Sequence, residues 1–182
     1  VDILKKMKSF FRYFLIVVGF FLLLFLLAGI VKPTIEYDNG IVVSASPEIS
    51  FSTFKDTSLM KLWITGLTRF EYMEGTMDEP GSKWKLHLNQ DGNLYEMTET
   101  LTIYEENKRF AFLLNNEVLV SEVDIRFTPS KQGTIISVHN KVTGNNLFFR
   151  SLFVLTGSYF RTESQKMYEN LKLIIDKSQV PA

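Results

Sequence analysis

Hydrophobicity along this chain changes character twice. From Tyr13 to Val31 the run YFLIVVGFFLLLFLLAGIV carries no charge, which predicts one long apolar helix ended by Lys32-Pro33. Residues 67 to 143 form a series of alternating runs separated by turn signals, as an antiparallel sheet does. Beyond Gly144 the spacing becomes three and four, through Phe149, Phe153, Thr156, Phe160, Met167, Leu171 and Ile174. With charge interleaved on the other side in RTESQKMYENLKLIIDK, this predicts a helix from about Leu147 to Lys177.

The alternating region resolves into hairpins. Lys83 to Leu88 points Trp84, Leu86 and Leu88 inward and Lys83, Lys85 and His87 outward, and QDGN then makes a tight Asp-Gly turn. ENKR joins the next strand to Phe110, Phe112 and Leu114, and Asn115-Asn116 reads as a two-residue turn. Leu119, Ser121, Val123, Ile125 and Phe127 share the following inward face, PSKQG turns the chain, and Ile136, Val138, Asn140 and Val142 share the last. Ahead of the sheet, Asn39-Gly40 reads as a turn before a first strand, Ile41 to Ala45. SPEISFSTFKD then opens a helix with Ser46 as N-cap and Pro47 in first position, and a second short helix is expected over about Ser58 to Thr65. The fold class is α+β: a short helix pair, an antiparallel meander and one long terminal helix, with the sheet curled around that helix. The expected division is a basic segment at 1–12, a transmembrane helix at 13–31, a linker at 32–40 and a domain at 41–178.

At about 1.5 Å per residue the apolar run spans the ~30 Å hydrocarbon core of a bilayer. A cleaved secretory signal is the competing reading. The length of the run and the lack of a small-x-small pattern at its end favour an uncleaved anchor. Lys5, Lys6, Lys8 and Arg12 precede it, which puts the N-terminus in the cytoplasm and the domain outside, on a single-pass protein. The lipid bilayer is therefore an expected partner.

Composition narrows the chemistry. The 182 residues have zero formal charge, so a +3 N-terminal segment leaves a domain of −3, which disfavours nucleic acid as a partner. Cysteine is absent, excluding disulfides, thiol nucleophiles and cysteine-ligated zinc. No phosphate-cradling glycine loop or Gly-x-Ser-x-Gly elbow occurs. His87 and His139 alternate with inward apolar residues, so both are expected to face solvent without an orienting partner. No catalytic, metal or cofactor site is assigned.

One residue breaks the alternation. In LYEMTETLTIY, Tyr95, Met97, Glu99, Leu101 and Ile103 share the apolar face. An unpaired carboxylate in packed hydrocarbon costs several kcal/mol or becomes protonated. Either a β-bulge or barrel-edge position turns Glu99 outward, or Glu99 looks into a space that is not solid core, with Asn140 and Ser121 as candidate partners.

The segments IVVSASPEISFSTFKD, Trp63, YEMTETLTIYEENKRFAF and SYFRTESQKMYENLKLII resemble the START-like or Bet v 1-like superfamily, also called the SRPBCC or polyketide cyclase and dehydrase group, over residues 41 to 177. The resemblance implies a helix-grip fold with a hydrophobic cavity between sheet and terminal helix. Trp63, Phe70, Tyr72, Trp84, Tyr95, Met97, Glu99, Phe112, Phe127, Asn140, Phe153 and Phe160 are the residues expected to line it. The function expected from these features is membrane-anchored binding of a hydrophobic small molecule or lipid. Two alternatives stay open: a cyclase- or hydrolase-type enzyme using Glu99 with Tyr95 as hydrogen-bond donor, and a structural or protein-interaction domain with a collapsed cavity. No protein partner is identified.

Overall fold

The computed structural model describes residues 2–178, with side chains from Met7 onward. The side chains of Asp2, Lys5 and Lys6, part of the charge set that predicts orientation, lie outside the described ones. In chain order the elements are α1 (Asp2–Val31), β1 (Thr34–Val43), α2 (Pro47–Lys55), α3 (Met60–Trp63), β2 (Leu67–Glu74), β3 (Lys83–Gln90), β4 (Asn93–Glu105), β5 (Arg109–Asn115), β6 (Leu119–Ser130), β7 (Gly133–Gly144) and α4 (Leu147–Lys177). The strands form one antiparallel sheet in the order β1-β7-β6-β5-β4-β3-β2. This sheet wraps α4, the helix-grip arrangement that the sequence predicts.

Three local expectations are corrected. Asn39-Gly40 does not turn the chain. β1 runs straight through it, pairing Thr34 with Thr143 and Val43 with Thr134, so the predicted linker is largely strand. The side chain of Asn39 explains this choice: its amide donates to the Arg161 carbonyl and to Gln165 Oε1, both at 3.1 Å, tying β1 to α4 instead of folding back on itself. Second, the β5–β6 connection is a three-residue loop, because the Asn116 side chain accepts from the Val118 and Leu119 amides. Third, a bulge between Leu101 and Ile103 reverses the alternation, sending Tyr104 to the inner face in place of Ile103. The bulge falls beyond Glu99 and leaves that residue facing inward.

The β3–β4 hairpin turns at Asp91-Gly92, both with positive φ, as the sequence signal requires. At the β6–β7 hairpin Gly133 adopts φ 121°, and a Cβ there would lie 2.6 Å from the Ser44 carbonyl carbon. Gly133→Ala is expected to lower unfolding free energy by about 2 kcal/mol through backbone strain and displacement of the β1–α2 connection. Thermal unfolding followed by near-ultraviolet circular dichroism checks this; an unchanged midpoint would refute it.

The interior divides into two zones. At the end capped by α2, Ile125, Ile136, Leu171 and Ile175 are fully buried and mesh with Phe51, Phe54 and Phe127. Toward β3 and β4 the sheet stands away from α4.

Met7–Val31 is long and apolar enough to cross a membrane. Its last turns pack on the start of α4: Phe25 meets Phe148 edge-on at 5.8 Å between ring centroids, and Gly29 lies so close that an added Cβ would stand 2.6 Å from the Ser151 amide nitrogen. Lys32 and Pro33 alone separate α1 from β1.

Candidate functional site

Between the sheet and α4 lies a cavity of ≈ 490 Å³. The volume falls in the range that small-molecule sites occupy. Its wall follows from the strand period: Leu86 and Leu88 of β3, Tyr95, Met97 and Glu99 of β4 and Phe112 of β5 all point inward, and α4 closes the opposite side. Phe70 stacks on Trp84 at 4.8 Å, forming a flat aromatic edge. Of the residues expected at this site, Trp63, Phe70, Trp84, Tyr95, Met97, Glu99, Phe112, Asn140 and Phe160 line the cavity.

Tyr72, Phe127 and Phe153 do not line it. Tyr72 sits on the edge strand β2, 41% exposed, edge-on to Trp84 with its hydroxyl donating to the Gly75 carbonyl. Phe127 is committed to the solid zone against Phe51 and Phe54. Phe153 packs with Ile35 and Val142 in a separate cluster near the end of α1. Each has the expected orientation toward the inner face or α4; what differs is its distance along the strand or helix from the hollow zone.

Two tyrosines outside the expected set add to the polarity of the cavity. Tyr168, 4% exposed, projects from α4, and Tyr37 projects from β1. Tyr168 belongs to a buried face running through Ser164, Leu171 and Ile175, which shares Leu171 with the apolar line predicted along α4; Met167 of that line also reaches the cavity. Tyr37 escapes notice because its segment reads as linker. Burial pushes the Tyr37 phenol up to about 12, opposed by its hydrogen bond with Ser164, and burial likewise raises Tyr168.

Glu99 is 8% exposed and has no hydrogen-bond partner among the described residues. Asn140 is not its partner: the Asn140 amide donates to Asn39 Oδ1 at 3.3 Å, and Ser121 makes no bond to Glu99 either. Burial pushes its carboxyl up to about 8, so at neutral pH it is largely protonated and presents an O–H donor to the cavity. Tyr168 is close enough to feel the Glu99 charge. Together they add two hydroxyl-type groups to a largely apolar wall that also holds Tyr37, Ser82, Ser121 and Ser164.

Exposed lining residues mark two openings. Asn89, Gln90, Tyr95 and Tyr159 stand at one, where the Gln90 amide donates to the Tyr159 hydroxyl at 3.2 Å. Thr57 and Asp78 stand at the other, which Lys55 bridges through Asp78 at 2.5 Å and Tyr104 at 2.9 Å.

The histidines face outward, but His87 is not alone. It lies between Glu71 and Glu96, each at 3.0 Å, with Arg69 at 3.1 Å, because adjacent strands bring these positions side by side. His139 is paired with Asp38 at 2.8 Å. Among the described residues no group of three or more His, Cys, Asp or Glu could hold a metal ion.

Residues 34–175 match the sequence family described as polyketide cyclase / dehydrase and lipid transport. No curated protein matches the sequence. Among solved structures, the chain is similar to a protein of unknown function from Staphylococcus aureus, at 13% identity and a TM-score of 0.65, over 80% of this chain and 95% of that one. It is also similar to a protein from Thermus thermophilus, at 14% identity and a TM-score of 0.64, over 81% and 100%. The di-domain ARO/CYC StfQ from the steffimycin biosynthetic pathway shares 8% identity with a TM-score of 0.66, over 81% of this chain and 52% of that one. At these identities the likeness is one of fold.

Proposed function

The chain belongs to the polyketide cyclase / dehydrase and lipid transport family, and from that premise we propose that it is a membrane-tethered binding module for a hydrophobic small molecule or lipid bearing one oxygen-containing head group. The observation that carries this reading is the ≈ 490 Å³ cavity, walled by aromatic and aliphatic side chains, into which a single unpartnered carboxyl projects. An apolar body fills the wall region, and a carbonyl or hydroxyl oxygen accepts from protonated Glu99. The buried, unpaired carboxyl is otherwise a cost to the fold. α1 holds the domain on the bilayer in which such a ligand partitions, with Lys8 and Arg12 on the cytoplasmic side and the domain across the membrane.

Bound organic molecules are expected by mass spectrometry of the full chain purified in mild detergent. Added N-phenyl-1-naphthylamine is expected to quench Trp63 and Trp84, both of which line the cavity. Clean protein that also fails to take up the probe would reject the reading.

The raised Glu99 pKa also supports a second reading, in which the same carboxyl protonates a bound substrate in a cyclase-type reaction. Tyr95 is not placed to assist it: four residues along β4 put the two Cα atoms about 13 Å apart. Tyr168 is the nearer hydroxyl. Chemical change in a bound polyketide-like probe, lost in Glu99→Gln, would favour this reading; recovery of the probe unaltered favours binding alone.

A further inference from the structure

The start of α4 runs beside the end of α1 in the same direction, since Phe25 pairs with Phe148 and Gly29 with Ser151. With only Lys32 and Pro33 between α1 and β1, the domain has little freedom to swivel on its anchor. The orientation of the cavity relative to the membrane is therefore set by this contact.

α4 carries an exposed apolar stripe that begins there. Phe148, Leu155 and Tyr159 are 56%, 68% and 53% exposed, and spacings of seven and four place them on one side of the helix. Taking Ser151 as level with Gly29, Val31 lies level with Phe153. Leu155 then stands about 3 Å beyond the end of the apolar span and Tyr159 about 9 Å beyond it, at 1.5 Å per residue. The headgroup region adds roughly 5–8 Å on each side of the hydrocarbon core. Phe148 is consequently level with hydrocarbon and Leu155 with its boundary, while the Tyr159 backbone lies just past the headgroups; its side chain, directed toward the N-terminal end of the helix, reaches back into them, where tyrosine is favoured. Tyr159 is also the residue that meets Gln90 at one cavity opening.

Resting on the membrane-tethered reading above, we propose that the Phe148–Leu155–Tyr159 stripe is seated in the bilayer surface and that the Gln90–Tyr159 opening takes its ligand directly from lipid. The occupant of the stripe is the bilayer itself, because the stripe is continuous with the apolar surface of α1. The Thr57–Asp78 opening, spanned by the Lys55 ion pair, is not the entry route.

The chain contains no cysteine, so single spin labels are attached cleanly. In full-length protein reconstituted into phosphatidylcholine vesicles, a label at Leu155→Cys is expected to collide with oxygen and to be shielded from a water-soluble nickel complex. A label at Lys131→Cys, in the β6–β7 turn at the far end of the domain, is expected to show the reverse. Leu155→Glu is expected to slow uptake of N-phenyl-1-naphthylamine from vesicles roughly tenfold, the change equivalent to ~1.4 kcal/mol of lost apolar burial. Its affinity for the probe in detergent should be unchanged. A Leu155 label as nickel-accessible as the Lys131 label overturns the seating, and uptake unaffected by Leu155→Glu overturns the entry route; in both cases binding in detergent leaves the cavity reading standing. Failure to bind the probe in detergent as well removes the binding reading and the entry route with it.

Discussion

Glu99→Gln is expected to remove most of the pH dependence of this domain's stability and to make it markedly more stable than the parent at pH 8. The parent carboxyl titrates at about 8 in the fold against 4.5 in the unfolded chain, through burial. Between those values the folded state holds a proton that the unfolded state has released. Stability therefore falls as pH rises above 4.5 and levels off beyond 8. At about 1.4 kcal/mol per pKa unit the full loss is of order 5 kcal/mol. No cation among the described residues pairs with Glu99 to offset it: Lys55, the lysine on the cavity wall, is held by Asp78 and Tyr104. Glutamine has nearly the same shape and does not ionise, so its profile lacks this slope, while every other titrating group contributes equally to both proteins. Denaturant unfolding of both proteins at pH 5, 7 and 9 checks this. Parallel profiles would mean that the carboxyl is solvated in the fold and that the cavity around it is not dry.

The same residue shows what sequence reveals and what it hides. The alternation through LYEMTETLTIY puts Glu99 inside, and a period of two is robust wherever one face is buried. A bulge inverts it without any residue signature, and the bulge at Leu101–Ile103 sends Ile103 outward and Tyr104 inward. Had it fallen three residues earlier, Glu99 would face solvent. Turn chemistry was legible at Asp91-Gly92, where both residues need positive φ, but misleading at Asn39-Gly40. There the Asn39 amide finds its partners more than a hundred residues away on α4, a contact no local reading detects. The bounds of α4 follow from its period, and Phe153, Phe160, Met167 and Leu171 on the line it marks do face the interior. Tyr168, beside Met167 and just off that line, is not picked out by an apolar period, although it too reaches the cavity. Tyr72, Phe127 and Phe153 illustrate the remaining limit. Facing is a local property, but whether the space faced is hollow depends on how far the sheet stands from the helix at that level.

That distance has an energetic signature, and two leucine truncations read it. Leu171 is fully buried in the zone where α4 meshes with Ile125, Ile136 and Val138. Leu86, 5% exposed, lies on the cavity wall with Leu88 and Met97 and packs against Leu67 behind it. Truncation in a close-packed site costs the transfer free energy of the removed atoms plus the cavity left behind, together about 3–5 kcal/mol. At Leu86 the removed atoms already border open space, so fewer contacts are lost and the void term is small. Leu171→Ala is accordingly expected to cost about 4 kcal/mol and Leu86→Ala about 2 kcal/mol or less. The two variants differ in a second way that stability alone does not capture. Leu86→Ala enlarges the ligand space, so it is expected to retain probe binding and to accept a bulkier naphthylamine that the parent excludes, whereas Leu171→Ala alters stability and leaves ligand size selection unchanged. Equal costs with unaltered probe selection would mean that the wall at Leu86 is packed as tightly as the core at Leu171, and the domain would then have no interior room for cargo.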